Sequence, residues 1–246
     1  MARNKLLFLS HQGDPVYALL RRHVTDMEVC QLTPADLSRP GWCYRDSHVT
    51  SNICIAAGEP LFTQEIAGVL TRLPGISASD LPHILPQDRG YLAAEMTAFL
   101  LSWLDQLPCP KLNRPGANGL NGPFLRLQEW HYLAAQRGIP VVPLQQHISY
   151  QKDPIQHHHA DAATVVIVGD EHVGNLHPQL IAYAHTLGDA VGVELFAAQF
   201  THADADAQLI AVDLLPPLSE AVIKAIGGYF AERHVAHDTE VRRAWA

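Results

Sequence analysis

The stretch KLLFLSHQGDPVYALLRRHVTDMEVCQL, residues 5–32, decides the fold of the N-terminal part of the chain. Its first segment, residues 5–10, is an apolar strand, and residues 27–32 have the pattern of a second strand. Between them, Asp14-Pro15 is a helix start signal, with apolar side chains at helical spacing over residues 16–20. A strand, a helix and a second strand in this order predict two parallel strands joined by a right-handed crossover.

The composition indicates a chain that can bury a sizeable core. Its 246 residues are 48% hydrophobic and 17% charged, which predicts one large domain or two small ones. The formal net charge of −8 excludes a basic patch of the kind that binds nucleic acid. No apolar run approaches the ~18 residues of a membrane span. We therefore expect neither a nucleic acid nor a membrane as partner.

Location is predicted from the N-terminus and the cysteines. The N-terminal apolar run, residues 6–9, is shorter than the ~7–15 residues that a secretory signal needs. Without an export signal, cysteines that form no CxxC pair are expected to be reduced thiols in a cytoplasmic protein. The four are Cys30, Cys43, Cys54 and Cys109.

The rest of the chain alternates helical and strand patterns. A strand at residues 66–70 ends at a Pro-Gly break, and a long helix covers residues 87–107. The later segments are a helix from Pro123 to Gly138, a strand at 163–169 that opens a hairpin, a helix at 178–188, strands at 194–200 and 208–214, and a helix from Ser219 to about Glu232. This order predicts an open parallel-sheet α/β domain at residues 1–113 and an α+β region at residues 114–246.

Four stretches together resemble the ATP-grasp superfamily, the carboxylate–amine ligases that include glutathione synthase and RimK-like enzymes. They are the strand end Val69-Leu70-Thr71-Arg72, the segment PKLNRP at 110–115, residues 121–143, and the hairpin 164–174 together with 194–217. The resemblance implies a pre-ATP-grasp-like open parallel sheet domain, followed by an α+β region like the C-terminal part of an ATP-grasp domain.

The chain departs from this family in length. The family's middle subdomain needs about four strands and two helices, or roughly 70 residues. Here Pro143 is followed within a short segment by Asp161, where the next family-like stretch begins. The resemblance therefore implies a reduced form without the adenine-pocket lysines and the glycine-rich loop, and the usual lysine of the "NKP" segment is Gly122.

The positions that would hold Mg²⁺ also depart from the family. The resemblance places its metal-binding acidic residues at Gln199, Ala211 and Asp213, of which one is a carboxylate. Hard carboxylate oxygens hold the Mg²⁺ of ATP, so Mg²⁺–ATP is a doubtful cofactor for this chain alone. Asp213, with Gln199 beside it, is either a residual cation or substrate ligand or an anchor of the turn that follows.

Two further groups are candidate ligands. In an extended strand, His157, His159 and Asp161 share a face and could bind a divalent transition metal, or they form a solvated polar loop that replaces the lost subdomain. Asn113 and Arg114 follow a short extended segment, where they either line a phosphate or carboxylate pocket or lie at the surface beside a proline turn.

Two functions follow from these observations. The first is a degenerate ATP-grasp relative that acts as a non-catalytic scaffold or substrate-presenting subunit, beside a complete ligase or in a homo-oligomer. The alternative is a ligase-type enzyme that acts on a small-molecule carboxylate through Asn113, Arg114, Asp213 and residues 157–161. That enzyme would depend on a divalent metal or complete its ATP site with a partner subunit.

Overall fold

The structure is a computed structural model that describes residues 4–45, 52–144 and 162–244, with side chains described through residue 233. The chain packs as two compact units, Met1–Phe124 with Leu218–Ala246, and Leu125–Pro217. This division differs from the expected boundary after residue 113, because the last helix packs on the first sheet and not with the second unit.

The first unit is built on a four-stranded parallel sheet. Its strands are β1 (Lys5–Leu9), β2 (Glu28–Leu32), β5 (Ile66–Thr71) and β6 (Lys111–Leu112), in the order β2-β1-β5-β6. The opening strand–helix–strand prediction is confirmed, since β1 and β2 pair in parallel and α1 (Val16–His23) connects them. A separate hairpin, β3 (Ile53–Ala56) with β4 (Glu59–Phe62), turns at Ala57 and Gly58, both at positive φ.

Helices cover both faces of the parallel sheet, as such a sheet requires. On one face, α2 (Arg89–Gln106) contributes buried Trp103 and Leu104 to a core that contains Leu7 and Leu9. On the other face lie α1 and α5 (Glu220–Ala244). Helix α5 extends beyond the predicted end near Glu232, because no Gly or Pro interrupts the sequence after Gly228.

The second unit is an antiparallel sheet with two helices. Its strands are β7 (Ala163–Val168), β8 (Glu171–Val173), β9 (Leu195–Phe200) and β10 (Leu209–Asp213), in the order β10-β9-β7-β8. Helices α3 (Leu127–Gln136) and α4 (Pro178–Val191) share its core with buried Phe196 and Phe200. The predicted parallel domain followed by an α+β region is confirmed as the fold class.

Candidate functional site

The carboxyl edge of the parallel sheet gathers polar side chains in the first unit. Strand β1 has β2 on one side and β5 on the other. The chain passes from β1 to β2 on one side of β1 and later inserts β5 on the other side. The strand order therefore reverses between β1 and β5, and a crevice forms at their C-terminal ends. Open α/β sheets bind their ligands in such a crevice, so this edge is the candidate site.

Asp14 and Arg72 form an ion pair across this crevice. Arg72 directly follows β5, and its Nε donates to Asp14 Oδ2 at 3.2 Å. Asp14 Oδ1 accepts a hydrogen bond from the Val16 backbone amide at 2.9 Å, which fixes the carboxylate at the start of α1. The two side chains remain 14% and 21% exposed, for Asp14 and Arg72 respectively. A guanidinium oriented in this way can also bind a ligand carboxylate or phosphate.

A second pair lies at the same edge. His11 Nδ1 is 3.1 Å from Asp80 Oδ1, and the Gln31 side-chain amide donates to Ser10 Oγ at 2.8 Å and to the His11 carbonyl at 3.1 Å. The edge therefore offers one arginine and two carboxylates, a donor set suited to a ligand that carries both carboxylate and amine groups. Neither Arg72 nor Asp80 is among the ligand residues that the sequence predicts, although an arginine directly after a buried strand is a signal for it.

Asn113 and Arg114 lie one strand further along the sheet. Strand β6 pairs with β5 and ends at Leu112, so both residues follow its carboxyl end. Asn113 is 3% exposed and has a left-handed backbone with φ of 60°, which turns the chain and leaves Arg114 exposed. Beside them, Lys111 is buried and its Nζ donates to the Leu107 carbonyl at 2.6 Å, while burial lowers the pKa of this amine.

Gln199 and Asp213 belong to the second unit. In the sheet register, Gln199 lies between Thr164 and Ala211, and Asp213 lies opposite Ala197. Gln199 is flanked along β9 by Ala198 and Phe200, which belong to the core. Asp213 Oδ1 accepts a hydrogen bond from the Leu215 backbone amide at 2.8 Å, so the carboxylate anchors the turn after β10.

The three positions at which the family resemblance places the Mg²⁺ ligands offer one carboxylate. Ala211 offers no side-chain oxygen, Gln199 offers a neutral amide, and the carboxylate of Asp213 is engaged in the turn. The Mg²⁺ that accompanies ATP is held by hard anionic oxygens. These three positions do not contain a pair of carboxylates.

The remaining metal prediction concerns residues that the structure does not describe. His157, His159 and Asp161 all lie in the segment 145–161, outside the described residues. Within the described residues, no group of three His, Cys, Asp or Glu side chains is placed to hold a metal ion. None of the helices in the described ranges is both long and apolar enough to cross a membrane.

Comparison with known proteins places the fold. No protein-family model and no curated protein matches the chain. Among solved structures, the Chryseobacterium gregarium RiPP-associated ATP-grasp ligase, in complex with ADP and a leader and core peptide, aligns with a TM-score of 0.66 at 12% identity, covering 94% of this chain and 98% of that one. The chain has the ATP-grasp fold.

Further ATP-grasp structures align in the same way. The macrocyclase MdnC from Microcystis aeruginosa MRC, bound with precursor peptide MdnA, has a TM-score of 0.66 at 12% identity over 92% of this chain and 99% of that one. A RimK domain protein from Sphaerobacter thermophilus has a TM-score of 0.52 at 13% identity over 92% and 99%. The predicted resemblance to ATP-grasp ligases is confirmed at the level of fold.

The segment between α3 and β7 is short. Only residues 137–162 separate these two elements. A subdomain of four strands and two helices needs roughly 70 residues, so this segment is too short to contain one.

Proposed function

We propose that the chain is a non-catalytic ATP-grasp relative that acts as a scaffold or substrate-presenting subunit beside a complete ligase. The observation that carries the proposal is the set of side chains on β9 and β10, because the positions at which the family resemblance places metal-binding carboxylates hold Gln199, Ala211 and a turn-bound Asp213. Without them, and without lysines from a middle subdomain, a transferring phosphoryl group has little electrostatic stabilisation.

A peptide is the substrate class that this proposal favours. The Chryseobacterium gregarium ligase is described with a leader and core peptide, and MdnC with a precursor peptide. A peptide ligand is inferred for this chain by analogy of fold. The residues at the carboxyl edge are the ones that would bind the peptide. Arg72 would hold an acidic group of the ligand, while Asp14 and Asp80 would accept hydrogen bonds from an amine.

Calorimetric titration of the full chain with ATP and Mg²⁺ tests the proposal. We expect no saturable heat at nucleotide concentrations up to about 1 mM. Any binding would then be weaker than a Kd of about 1 mM, which corresponds to about 4 kcal/mol of binding free energy. Micromolar binding would contradict the proposal if Asp213→Asn abolished it while Asp204→Asn, which removes an exposed carboxylate from the loop before β10, did not.

An enzyme that completes its ATP site with a partner subunit is the second candidate. The observation that favours it is the cluster of Asp14, Arg72, His11 and Asp80 at the ligand-binding edge, since such clusters suit catalysis as well as binding. Co-purification of a complete ATP-grasp ligase would support both proposals. Loss of the complex's ATPase activity in Arg72→Gln, with assembly intact, would favour the enzyme.

We also infer a cytoplasmic location and a chain that acts in an assembly, either with a ligase or as a homo-oligomer. The support for the location is that all four cysteines, Cys30, Cys43, Cys54 and Cys109, are free thiols. Light scattering of the purified chain distinguishes a homo-oligomer from a monomer that awaits its partner.

A further inference from the structure

A cavity of about 490 Å³ opens on the first unit, between the turn that contains Trp42 and helix α2. This volume lies in the range of ligand sites in proteins. The side chains that give it its character are Leu37, Arg39, Trp42, Glu95, Met96 and Phe99.

The aromatic wall of the cavity is fixed in place. Trp42 Nε1 donates to the Asp36 carbonyl at 2.9 Å, and the Trp42 and Phe99 rings meet at 80° with centroids 5.5 Å apart. Behind them, Trp42 packs edge-on against buried Trp103, with centroids 5.6 Å apart. A perpendicular pair of rings held from behind presents a rigid aromatic corner, so little conformational entropy is lost when a ligand enters it.

Glycine at position 41 allows the chain to approach this corner closely. Gly41 has a φ of 112°, and an added Cβ would lie 3.0 Å from Ile55 Cδ1. The chain can therefore turn closely over β3 at this position and direct Trp42 towards α2.

The charges around the cavity are unbalanced. Arg39 Nε lies 3.4 Å from Asp36 Oδ1, so Arg39, whose side chain is 56% exposed, is paired with a carboxylate that is 4% exposed. Glu95 is exposed on α2 and forms no ion pair with any described residue. One uncompensated carboxylate therefore stands beside an aromatic corner, on a chain whose formal net charge is −8.

We propose that this cavity binds an arginine side chain of a peptide, with the guanidinium against Trp42 and Phe99 and hydrogen-bonded to Glu95. Aromatic faces attract cations, and a planar guanidinium both stacks on a ring and donates two parallel hydrogen bonds to a carboxylate. A lysine ammonium is more strongly hydrated and lacks the planar fork. Met96 and Leu37 provide apolar contacts for the aliphatic part of the arginine.

The inference takes its ligand class, a peptide, from the proposed function, whereas the site itself depends on this cavity alone. Its test requires neither ATP nor a ligase partner. Failure of the arginine site would leave the non-catalytic proposal standing, and nucleotide binding would leave the arginine site standing.

Titration by nuclear magnetic resonance provides the experiment. The full chain, labelled with nitrogen-15, is titrated with a blocked pentapeptide that carries one central arginine and with its citrulline counterpart, which keeps the shape and removes the charge. The indole N–H of Trp42, assigned from the spectrum of Trp42→Phe, reports binding because it lies at the cavity wall. We expect saturable shifts with the arginine peptide and at least about fivefold weaker binding of the citrulline peptide.

Three variants locate the interaction. Glu95→Gln should weaken the arginine peptide about threefold to fivefold, and Phe99→Leu about twofold to fivefold. Glu232→Gln, the same change at an exposed position of α5, should leave the affinity unchanged. Because Phe99 also packs against the core, the thermal unfolding of the Phe99→Leu variant is measured in parallel. Glu95 is exposed, so Glu95→Gln is not expected to change the stability of the core.

Several results would overturn the proposal. Equal binding of the arginine and citrulline peptides would show that the cavity does not recognise a positive charge. Undiminished binding by Glu95→Gln would show that the Glu95 carboxylate does not contact the ligand. Free arginine that binds as tightly as the peptide would remove the peptide from the assignment. Absence of any Trp42 shift up to about 5 mM peptide, which corresponds to less than about 3 kcal/mol of binding free energy, would show that the cavity does not bind the peptide.

Discussion

Replacement of Gly68 by alanine tests how the first unit is assembled. Gly68 lies in the middle of β5, opposite Leu6 of β1, and faces α5. An added Cβ would lie 2.4 Å from Phe230 Cδ1 and 2.6 Å from Cε1, distances that carbon atoms do not adopt in folded proteins. Phe230 is fully buried, so its ring has little free space into which it can move.

The change in the free energy of unfolding caused by Gly68→Ala is the difference between two opposing effects. The extra buried methyl group and the smaller entropy of the unfolded chain would favour Gly68→Ala by about 1–2 kcal/mol together. Against this, overpacking of a filled core costs about 1–3 kcal/mol, and more where the overlap is with a buried ring between two main-chain elements. Because the ring must move by about 1 Å to reach an ordinary contact distance of roughly 3.5–4.0 Å, we place the cost above this range. The net expectation is a loss of about 2 kcal/mol in the free energy of unfolding.

Urea unfolding followed by circular dichroism, with hydrogen exchange of β1 and β5 amides, measures this loss. For an m-value of about 2–3 kcal/mol/M, the midpoint should fall by about 0.7–1 M. Gly228→Ala is the matched control, since Gly228 lies in α5 with no atom within 4 Å of its added Cβ. That change should raise helix stability by up to about 1 kcal/mol.

Two outcomes would refute the packing of α5 on this sheet. One is a Gly68→Ala variant as stable as the parent. The other is strict additivity of Gly68→Ala with Phe230→Leu, because residues in direct contact should couple by about 0.5–3 kcal/mol. In the double variant, the smaller leucine side chain should accept the new methyl group and recover part of the loss.

Two further predictions concern ionisable groups. Burial raises the pKa of the Cys54 thiol to about 12 from a reference of 9.0, so its thiolate fraction at pH 8 should be about a thousandfold lower in the native protein than in urea, and alkylation followed by mass spectrometry should show a rate reduced at least that much. A hydrogen bond from His202 Nε2, at 2.9 Å, lowers the pKa of Asp206, so this pair should stabilise its loop above the ordinary aspartate pKa and lose that effect as the pH falls through the lowered value. Carboxyl titration by nuclear magnetic resonance should show the pKa of Asp206 rising towards its ordinary value in His202→Gln, and an unchanged titration would contradict the assignment.

Local sequence patterns predict the elements that are specified by residues close together in the chain. The parallel pair β1 and β2 follows from an apolar run, a start signal and a second apolar run within residues 5–32. The hairpin of β7 and β8 follows from a β-branched run that ends in Gly169, which has a φ of 59°. The short strand β4 is missed, because it contains Pro60 and buries only Leu61 of its four residues, so no two-residue alternation is visible.

The candidate site depends on information that is not local. Asp14 and Arg72 meet because β5 inserts beside β1, an order that no single segment of the sequence specifies. The aromatic cavity has the same origin, since Trp42 and Phe99 come from a loop and a helix that are far apart in the sequence. Asn113 and Arg114 are predicted at a strand end and do follow β6, whereas their separation from the β1–β5 crevice by one strand depends on sheet order alone.

The same non-local packing explains why each of the two units has a core of its own. A parallel sheet needs cover on both faces, and α2 supplies one cover from within the N-terminal part of the chain. The second cover includes α5, whose Phe230 fills the space that Gly68 leaves open. The antiparallel unit, by contrast, draws its core from residues 130–209, with α3 and α4 packed on its own strands. Each core is formed within its own unit, so the carboxyl edge and the aromatic cavity of the first unit depend on the packing of that unit alone.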